Sequence, residues 1–345
     1  MRFPWAATPR VLDPGRPRGL TLARDGAPQP MRAQPREENH AMRHSTWEGS
    51  FPAIVTPFTK DGDIDDKLLR ANVRLTVDEG SHGLVICGHN GEAHLMTPEE
   101  RRRVVAVAVE EVAGRIPVVA GTGGIATADV IRLTRDARDA GADGAMIEPP
   151  YFMKPKAADS IAHYARIADA VDFPIMVYNC PKRSGVDLST DDIDRIAEVA
   201  NVRAVKDSAH LFERMMEMIQ RFGERIAIFI GPQGMWGFPG VILGARGFVD
   251  GLQQICGREG TVLYDLAKAR DYDRGVPLQH RLHPLRTLIF DSAGTSPATL
   301  KDAMRLLGRP GGYPREPLRL MEGEDLRRFE AALRRLGFLP ARAAE

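Results

Sequence analysis

The 345-residue sequence lacks the features that mark membrane proteins and nucleic-acid-binding proteins. No apolar run approaches the roughly 20 residues that a membrane-spanning helix requires, so we expect no membrane span. The formal net charge is only +1, and 27% of the residues are charged. This balance gives no reason to expect binding to nucleic acid or to an anionic membrane surface.

Cysteine is also scarce. The chain has three cysteines, Cys87, Cys180 and Cys256, which are odd in number, far apart and without the paired spacing of a metal site. This pattern predicts reduced thiols in a cytoplasmic protein and excludes a disulfide framework.

Residues 1–44 differ from the rest of the chain. They are rich in proline, arginine, glycine and alanine and have no apolar periodicity. They lack the apolar centre of a signal peptide, and their acidic residues argue against a transit peptide. We interpret 1–44 as a disordered leader or a misassigned start and leave it out of the fold prediction.

From residue 49 onward, short β-branched runs alternate with longer helical patterns. The predicted strands are 50–56, 83–87, 117–121, 145–148, 174–179, 202–206, 226–231 and 247–250. Helical patterns lie between them near 65–79, 97–113, 127–140, 158–170, 190–200, 209–222 and 234–243. An open doubly wound sheet would need a glycine-rich phosphate turn after its first strand, and Thr56-Pro57-Phe58 is not one. The pattern therefore predicts an α/β fold of the closed (β/α)₈ TIM-barrel type.

More helical patterns follow the eighth strand, near 259–270, 271–291, 296–308 and 323–337. This is more helix than one barrel unit needs, so we expect a C-terminal helical appendage. We divide the chain into a catalytic barrel over 45–255 and a region over 256–345 that holds the last barrel helix and the appendage.

In such a barrel, reacting groups gather at the carboxyl ends of the strands. Lys206 closes an apolar strand, in a chain with eight lysines against 39 arginines. A lysine in a desolvated barrel mouth has a lowered pKa, and its neutral amine can attack a carbonyl to form an imine. The alternative is a lysine that pairs with Asp207 at the strand end.

Other strand ends supply possible partners for Lys206. Tyr178 ends strand five, and a phenol beside an imine can transfer protons. Arg183 follows on a loop and could bind a carboxylate with both guanidinium nitrogens. Gly231 and Asp250 close strands seven and eight, and we assign both to substrate binding.

The loop after strand two, Gly88-His89-Asn90-Gly91-Glu92, places a polar pair between two glycines. Backbone amides in such a loop can converge on a carboxylate, so we assign His89, Asn90, Gly91 and Glu92 to substrate binding. A metal site on His89, Glu92 and His94 is an alternative, but His-x-x-Glu-x-His is not a usual metal spacing. We therefore predict no metal.

Phosphate-binding loops are a further alternative at two glycine-rich segments. Gly121-Thr122-Gly123-Gly124 is equally well explained by a tight turn between strand and loop. In Gly231-Pro232-Gln233-Gly234, Pro232 removes one backbone donor, which weakens a phosphate site.

Together these residues resemble the dihydrodipicolinate synthase / N-acetylneuraminate lyase family over about residues 48–338. The resemblance rests on ordered motifs at barrel-like spacing, which are Ala53–Phe58, Gly88-x-x-Gly91-Glu92, Val119–Gly123, Pro150-Tyr151-Phe152, Tyr178–Gly185 and Val205–Ser208. It implies that Lys206 forms the imine, that Tyr178 transfers protons, and that the loop at His89-Asn90 holds the carboxylate of pyruvate. Arg183 would face the acidic end of a second substrate or product. The resemblance also implies a homotetramer built as a dimer of dimers, with no cofactor.

Two motifs, three residues in all, depart from the members that make the lysine precursor. The resemblance implies that those synthases carry a threonine pair in the strand-two loop and a tyrosine donated across the dimer. This chain has His89-Asn90 at the first position and Phe152 at the second. His89 could carry protons itself, because an imidazole titrates near neutral pH. The loop is closer to that of 4-hydroxy-2-oxoglutarate aldolases.

We therefore favour a Schiff-base lyase, an aldolase or dehydratase, that acts on pyruvate or a hydroxylated 2-oxo acid. The first alternative is a 4-hydroxy-tetrahydrodipicolinate synthase that condenses pyruvate with aspartate semialdehyde. The second is a non-catalytic barrel that binds 2-oxo acids.

Overall fold

Eight short parallel strands form the centre of the structure, a computed structural model that describes residues 47–292 and 296–340. The expectation for residues 1–44 lies outside the described residues. The strands are β1 (Gly49–Pro52), β2 (Leu84–Ile86), β3 (Val118–Gly121), β4 (Gly144–Ile147), β5 (Ile175–Asn179), β6 (Val202–Asp207), β7 (Ala227–Ile230) and β8 (Gly247–Asp250).

The sheet is closed into a barrel between its first two strands. The hydrogen-bonded order is β1-β8-β7-β6-β5-β4-β3-β2. Ala53 forms a parallel bridge to Val85, and the amide of Ile54 donates to the carbonyl of Val85 at 3.0 Å. The predicted (β/α)₈ barrel is confirmed.

The first strand is shorter than the predicted run to Thr56. Ala53 and Ile54 still contact Val85, but the chain then leaves the ladder, because the amide of Val55 donates to the side chain of Gln254 and not to a neighbouring strand. The segment after β1 is thereby fixed to the short helix after β8, Gln253–Cys256, at the rim of the barrel.

Helices connect the strands and continue after β8. Between the strands lie α1 (Asp66–Asp78), α2 (Pro98–Val112), α3 (Thr127–Asp139), α4 (Ala157–Ala170), α5 (Pro181–Ser184), α6 (Thr190–Ile196), α7 (Phe212–Phe222) and α8 (Gln233–Ile242). After β8 come α9 (Gln253–Cys256), α10 (Arg258–Lys268), α11 (Tyr272–Thr287), a π-helical turn (Leu288–Ser292), α12 (Ser296–Leu306) and α13 (Gly323–Arg335). The expected C-terminal helices are present.

Local sequence signals explain where two of these helices begin. Thr97 accepts a hydrogen bond from the Glu100 amide, and the Glu100 carboxylate accepts one from the Thr97 amide. Ser189 and Asp192 form the same capping box at α6. Each pair satisfies two backbone donors that a helix start leaves without a partner.

The core has three parts. Residues that point into the barrel form one cluster, which includes Phe51 and Phe229 in edge-on contact at 5.2 Å. A second cluster lies between the strands and the surrounding helices. The third packs the C-terminal helices against β7 and β8, with Phe248, Leu282 and Leu300 fully buried. This last cluster holds the C-terminal region over one side of the barrel mouth.

Within residues 47–292 and 296–340, no helix has the length and apolar character that crossing a bilayer would demand.

Candidate active site

A cavity of about 390 Å³ opens at the carboxyl ends of the strands. Its wall includes Lys206, Tyr178 and Asp250 from the strand ends, and His89 and Arg183 from the loops after β2 and β5. These side chains come from five different segments of the barrel, and parallel strands bring their carboxyl ends to one face.

A β-bulge places Lys206 beside Tyr178. Ile175 pairs with Val202, but the next residue, Met176, pairs with Ala204, so one residue of β6 is extra. Without the bulge, Tyr178 would face Val205, which packs outside the barrel. With it, Tyr178 pairs with Lys206, and both side chains reach the inner cavity. A bulge redirects side chains in this way because side-chain direction alternates along a strand.

The environment of Lys206 favours its neutral amine. The residue is 6% exposed, and burial lowers its pKa to about 8, although the carboxylate of Asp250 raises it in part. Its Nζ lies 4.0 Å from the centre of the Tyr178 ring. Burial also holds the pKa of Tyr178 well above its usual range, and the neighbouring Cys180 sulfur adds to this effect. The phenol therefore stays protonated and can donate a proton.

His89 is neutral in this site. Burial, together with the nearby cations of Arg183 and Lys206, lowers its pKa to about 2. A guanidinium nitrogen of Arg183 contacts His89 Nε2, which assigns the ring proton to Nδ1. The expectation that His89 titrates near neutral pH is therefore wrong, because a buried imidazole beside cations does not take up a proton there.

Asn90 is fixed at the cavity wall by the end of β1. Its Nδ2 donates to the carbonyl oxygen of Ala53 at 3.3 Å. Gly251 leaves room for it, because a Cβ there would lie 2.5 Å from Asn90 Nδ2. Asn90 thus presents a positioned amide group to the cavity.

Two residues of the same loop do not line the cavity, which corrects their assignment to substrate binding. Glu92 is fully buried and pairs with Lys301 of α12, while its second oxygen accepts from the Arg315 amide at 2.8 Å. Gly91 packs against backbone, and a Cβ there would lie 3.2 Å from the amide nitrogen of Cys87. Glu92 binds the C-terminal region because Lys301 offers a buried countercharge. For the same reason, Glu92 is not available to the proposed metal site with His89 and His94.

Gly231 and Asp250 line the opposite side of the cavity. Gly231 has no room for a side chain, since a Cβ would lie 1.8 Å from Ser208 Oγ. Asp250 accepts the amide of Gln233 at 2.9 Å. Burial raises the pKa of Asp250 to about 6, while Arg286 and Lys206 act in the opposite direction. A phosphate at the turn after β7 would need backbone amide donors, and Pro232 has none. The amide of Gln233 already donates to Asp250, so this turn lacks a second donor for a phosphate.

Two glycines at the end of β3 and just beyond it are explained by the lack of space for a side chain. A Cβ at Gly121 would lie 2.1 Å from the carbonyl oxygen of Cys87, and one at Gly123 would lie 2.3 Å from a carboxylate oxygen of Glu148. Glu148 directly follows β4 and lines a neighbouring cavity that Tyr178 also lines. The tight-turn explanation of this motif accounts for both glycines.

Sequence reasoning missed one whole side of the cavity. Four residues of the C-terminal helical region line it, and we call them the distal wall: Arg286, Phe290, Asp291 and Ser296. They were missed because only strand ends were considered. One signal was available: Arg286 lies four residues after the buried Leu282, on the apolar face of a predicted helix, where an arginine is unusual.

Comparisons with known proteins agree with this architecture. The profile of the Dihydrodipicolinate synthetase family matches residues 46–336. The 4-hydroxy-tetrahydrodipicolinate synthase of Syntrophobacter fumaroxidans is 35% identical over 294 residues, which are 85% of this chain and 100% of that protein.

Two solved structures are similar over the same extent. Dihydrodipicolinate synthase from Aquifex aeolicus aligns with a TM-score of 0.80 and 33% identity, covering 85% of this chain and 99% of that chain. The enzyme from Acinetobacter baumannii, solved in complex with pyruvate, aligns with a TM-score of 0.81 and 31% identity, covering 85% and 100%.

Proposed function

The chain belongs to the dihydrodipicolinate synthetase family, whose members are Schiff-base lyases that act on pyruvate-type 2-oxo acids, and we propose that Lys206 forms the imine. The observation that carries this proposal is the buried amine of Lys206, with its pKa lowered to about 8, in contact with the Tyr178 ring. A neutral amine in a desolvated cavity is the nucleophile that attack on a carbonyl requires.

The first steps follow from these two side chains. The neutral amine of Lys206 attacks the carbonyl carbon of the 2-oxo acid, and one of the two protons on its nitrogen moves to the carbonyl oxygen, which becomes a hydroxyl group. Tyr178 donates a second proton to that hydroxyl, which leaves as water and generates the protonated imine. Asn90 and the backbone of its loop hold the carboxylate next to the reacting carbon.

The imine then accepts electrons from the substrate. In a 4-hydroxy-2-oxo acid, the phenolate of Tyr178 takes the proton of the C4 hydroxyl, the C3–C4 bond breaks, and the fragment leaves as an aldehyde. The electron pair of the broken bond forms an enamine, which is protonated at C3 and hydrolysed to pyruvate and the free Lys206. We propose this carbon–carbon lyase reaction because the strand-two loop carries His89-Asn90 where the resemblance to the synthases implies a threonine pair, and because Phe152 has no hydroxyl group.

Condensation of pyruvate with aspartate semialdehyde is the second candidate. The relatives named 4-hydroxy-tetrahydrodipicolinate synthase, which are 32% to 36% identical, favour it. The two candidates share the imine of Lys206 and differ in the aldehyde.

Trapping tests the shared step. Pyruvate with borohydride should leave a reduced covalent adduct on Lys206, located by peptide mass spectrometry. Lys206→Met should abolish the adduct, whereas the same substitution at the exposed Lys67 of α1 should leave it unchanged. Turnover with an unmodified Lys206 would refute the proposal, and turnover with aspartate semialdehyde as the preferred aldehyde would select the second candidate.

We also propose a cytoplasmic homotetramer. Phe152 is 82% exposed and Met153 is 70% exposed, in a loop where Phe152 adopts a positive φ of 68°. Exposed apolar neighbours of this kind are typical of a subunit interface. The three unpaired cysteines suit a reducing compartment. Sedimentation of the wild-type chain and of Phe152→Asp should show a tetramer and a smaller species, and a wild-type monomer would contradict the assembly.

A further inference from the structure

The distal wall contains a buried arginine that forms an ion pair with a carboxylate. Arg286 is a buried residue whose side chain is 7% exposed, and it pairs with Asp291, whose side chain is 37% exposed. Both line the cavity. A buried guanidinium is costly unless it is paired, so its position in the wall requires a specific arrangement around it.

Two features hold the stem of Arg286 and its helix in place. Gly234 of α8 leaves room for its stem, because a Cβ at Gly234 would lie 2.5 Å from Arg286 Cβ. Gln279, seven residues earlier on the same face of α11, donates to the carbonyl oxygen of Gly234 at 2.7 Å and accepts from the Phe238 amide at 2.8 Å. The cavity-facing side of α11 is thus fixed against α8.

The π-helical turn supplies the partner. In a regular α-helix, residues five apart point in different directions, so Arg286 and Asp291 would not meet. A π-turn, with its i to i+5 spacing, places them over one another, and such turns occur frequently at functional sites. The Leu288–Ser292 turn follows α11 directly and carries Phe290 and Asp291 into the cavity wall.

The paired charges of the distal wall favour a neutral polar group on the ligand over a charged one. Arg286 is balanced by Asp291, and it also acts on the nearby carboxyl of Asp250. A carboxylate beside Arg286 would meet the charge of Asp291, which already neutralises the guanidinium, whereas a hydroxyl group can accept from the guanidinium and donate to the carboxylate of Asp291. Arg183, which donates to Ser296 Oγ at 2.9 Å, connects the strand-five loop to the same wall.

We propose that Arg286 and Asp291 are a specificity-determining pair that binds a hydroxyl group on the aldehyde half of the substrate. This inference rests on the proposed lyase function and names its substrate class. The enzyme acts on 2-oxo acids that carry a hydroxyl beyond the bond that is made or broken.

Aldehydes with the same three-carbon chain test the pair in the condensation direction. Wild-type enzyme with pyruvate should prefer glyceraldehyde over propanal, and Asp291→Asn and Arg286→Gln should each lower kcat/KM for glyceraldehyde by roughly 10- to 100-fold, the loss expected for a hydrogen bond to a charged group. Rates with propanal should change by less than about threefold. Arg281 lies on the exposed face of α11 and forms an ion pair with Glu259 of α10. Arg281→Gln is therefore the matched control, and it should change the rate with neither aldehyde.

Gly234→Ala provides a variant that keeps both charges and should show the same selective loss, because its Cβ displaces the Arg286 stem. Equal losses with both aldehydes, or wild-type preference for propanal or aspartate semialdehyde, would overturn the inference while borohydride trapping on Lys206 still succeeds. Absence of trapping in the wild-type enzyme would instead overturn the proposed function, and the inference with it.

Discussion

The pKa of Lys206 is the quantity on which the proposed chemistry depends most directly. Burial lowers it from 10.5 to about 8. At pH 7 this leaves roughly a tenth of the amine neutral, compared with a few parts in ten thousand for an ordinary lysine. The cavity therefore raises the concentration of the nucleophile by about 300-fold.

Two neighbouring charges act on this amine in opposite directions. The carboxylate of Asp250 raises the pKa of Lys206, and the guanidinium of Arg183 lowers it. Asp250→Asn should therefore lower the pKa of Lys206, and Arg183→Gln should raise it. Charges that share a cavity of this size interact by ~1–2 kcal/mol, so each shift should be about one unit.

The rate at which an amine-reactive reagent modifies Lys206, followed by peptide mass spectrometry across a range of pH, measures this pKa in the free enzyme. The exposed Lys67 in the same digests controls for the reagent. A wild-type midpoint near 10 would show that burial does not activate the amine. Shifts of the same sign in both variants would refute the electrostatic argument.

Two predictions concern stability. Lys301→Met should lower the free energy of unfolding by about 3–5 kcal/mol, because it leaves the fully buried Glu92 without its countercharge. Urea denaturation measures this loss. The double variant with Glu92→Leu should lose less stability than the sum of the two single changes. Gly121→Ala should lower the free energy of unfolding by about 2 kcal/mol or more, since its Cβ would lie 2.1 Å from the carbonyl oxygen of Cys87. Gly124→Ala is the control, because the atom nearest to its Cβ would be 3.4 Å away. Equal stability of the two alanine variants would contradict the steric argument.

The barrel and its reactive strand ends were predictable because both depend on local signals. Strand β8 has the predicted bounds Gly247–Asp250, and the other strands overlap their predicted ranges, although β1 ends four residues earlier than predicted. The sequence also places Lys206 and Tyr178 on adjacent strands. Their contact, however, depends on the bulge near Arg203, where Met176 pairs with Ala204. No local pattern identifies an extra residue within a β-branched run.

Loop side chains were less predictable than strand ends, because the direction of a loop side chain depends on partners far away in the chain. Glu92 follows Asn90 by two residues, yet Asn90 faces the cavity and Glu92 pairs with Lys301, 209 residues later. Arg286 was missed for a related reason. Helical periodicity shows which face of α11 is buried, but it does not show that this face reaches the barrel mouth.

The ion pair of Glu92 and Lys301 has a consequence beyond stability. Lys301 Nζ also donates to the carbonyl oxygens of Thr56 at 2.6 Å and Tyr313 at 2.8 Å. It therefore joins the segment after β1, the strand-two loop and the C-terminal region at one buried point. The loop that carries His89 and Asn90 and the helix α12 that begins with Ser296 are fixed to each other through this contact. Any change that moves α12 relative to the barrel should alter both halves of the substrate site together, so the C-terminal helices are a structural part of the catalytic cavity.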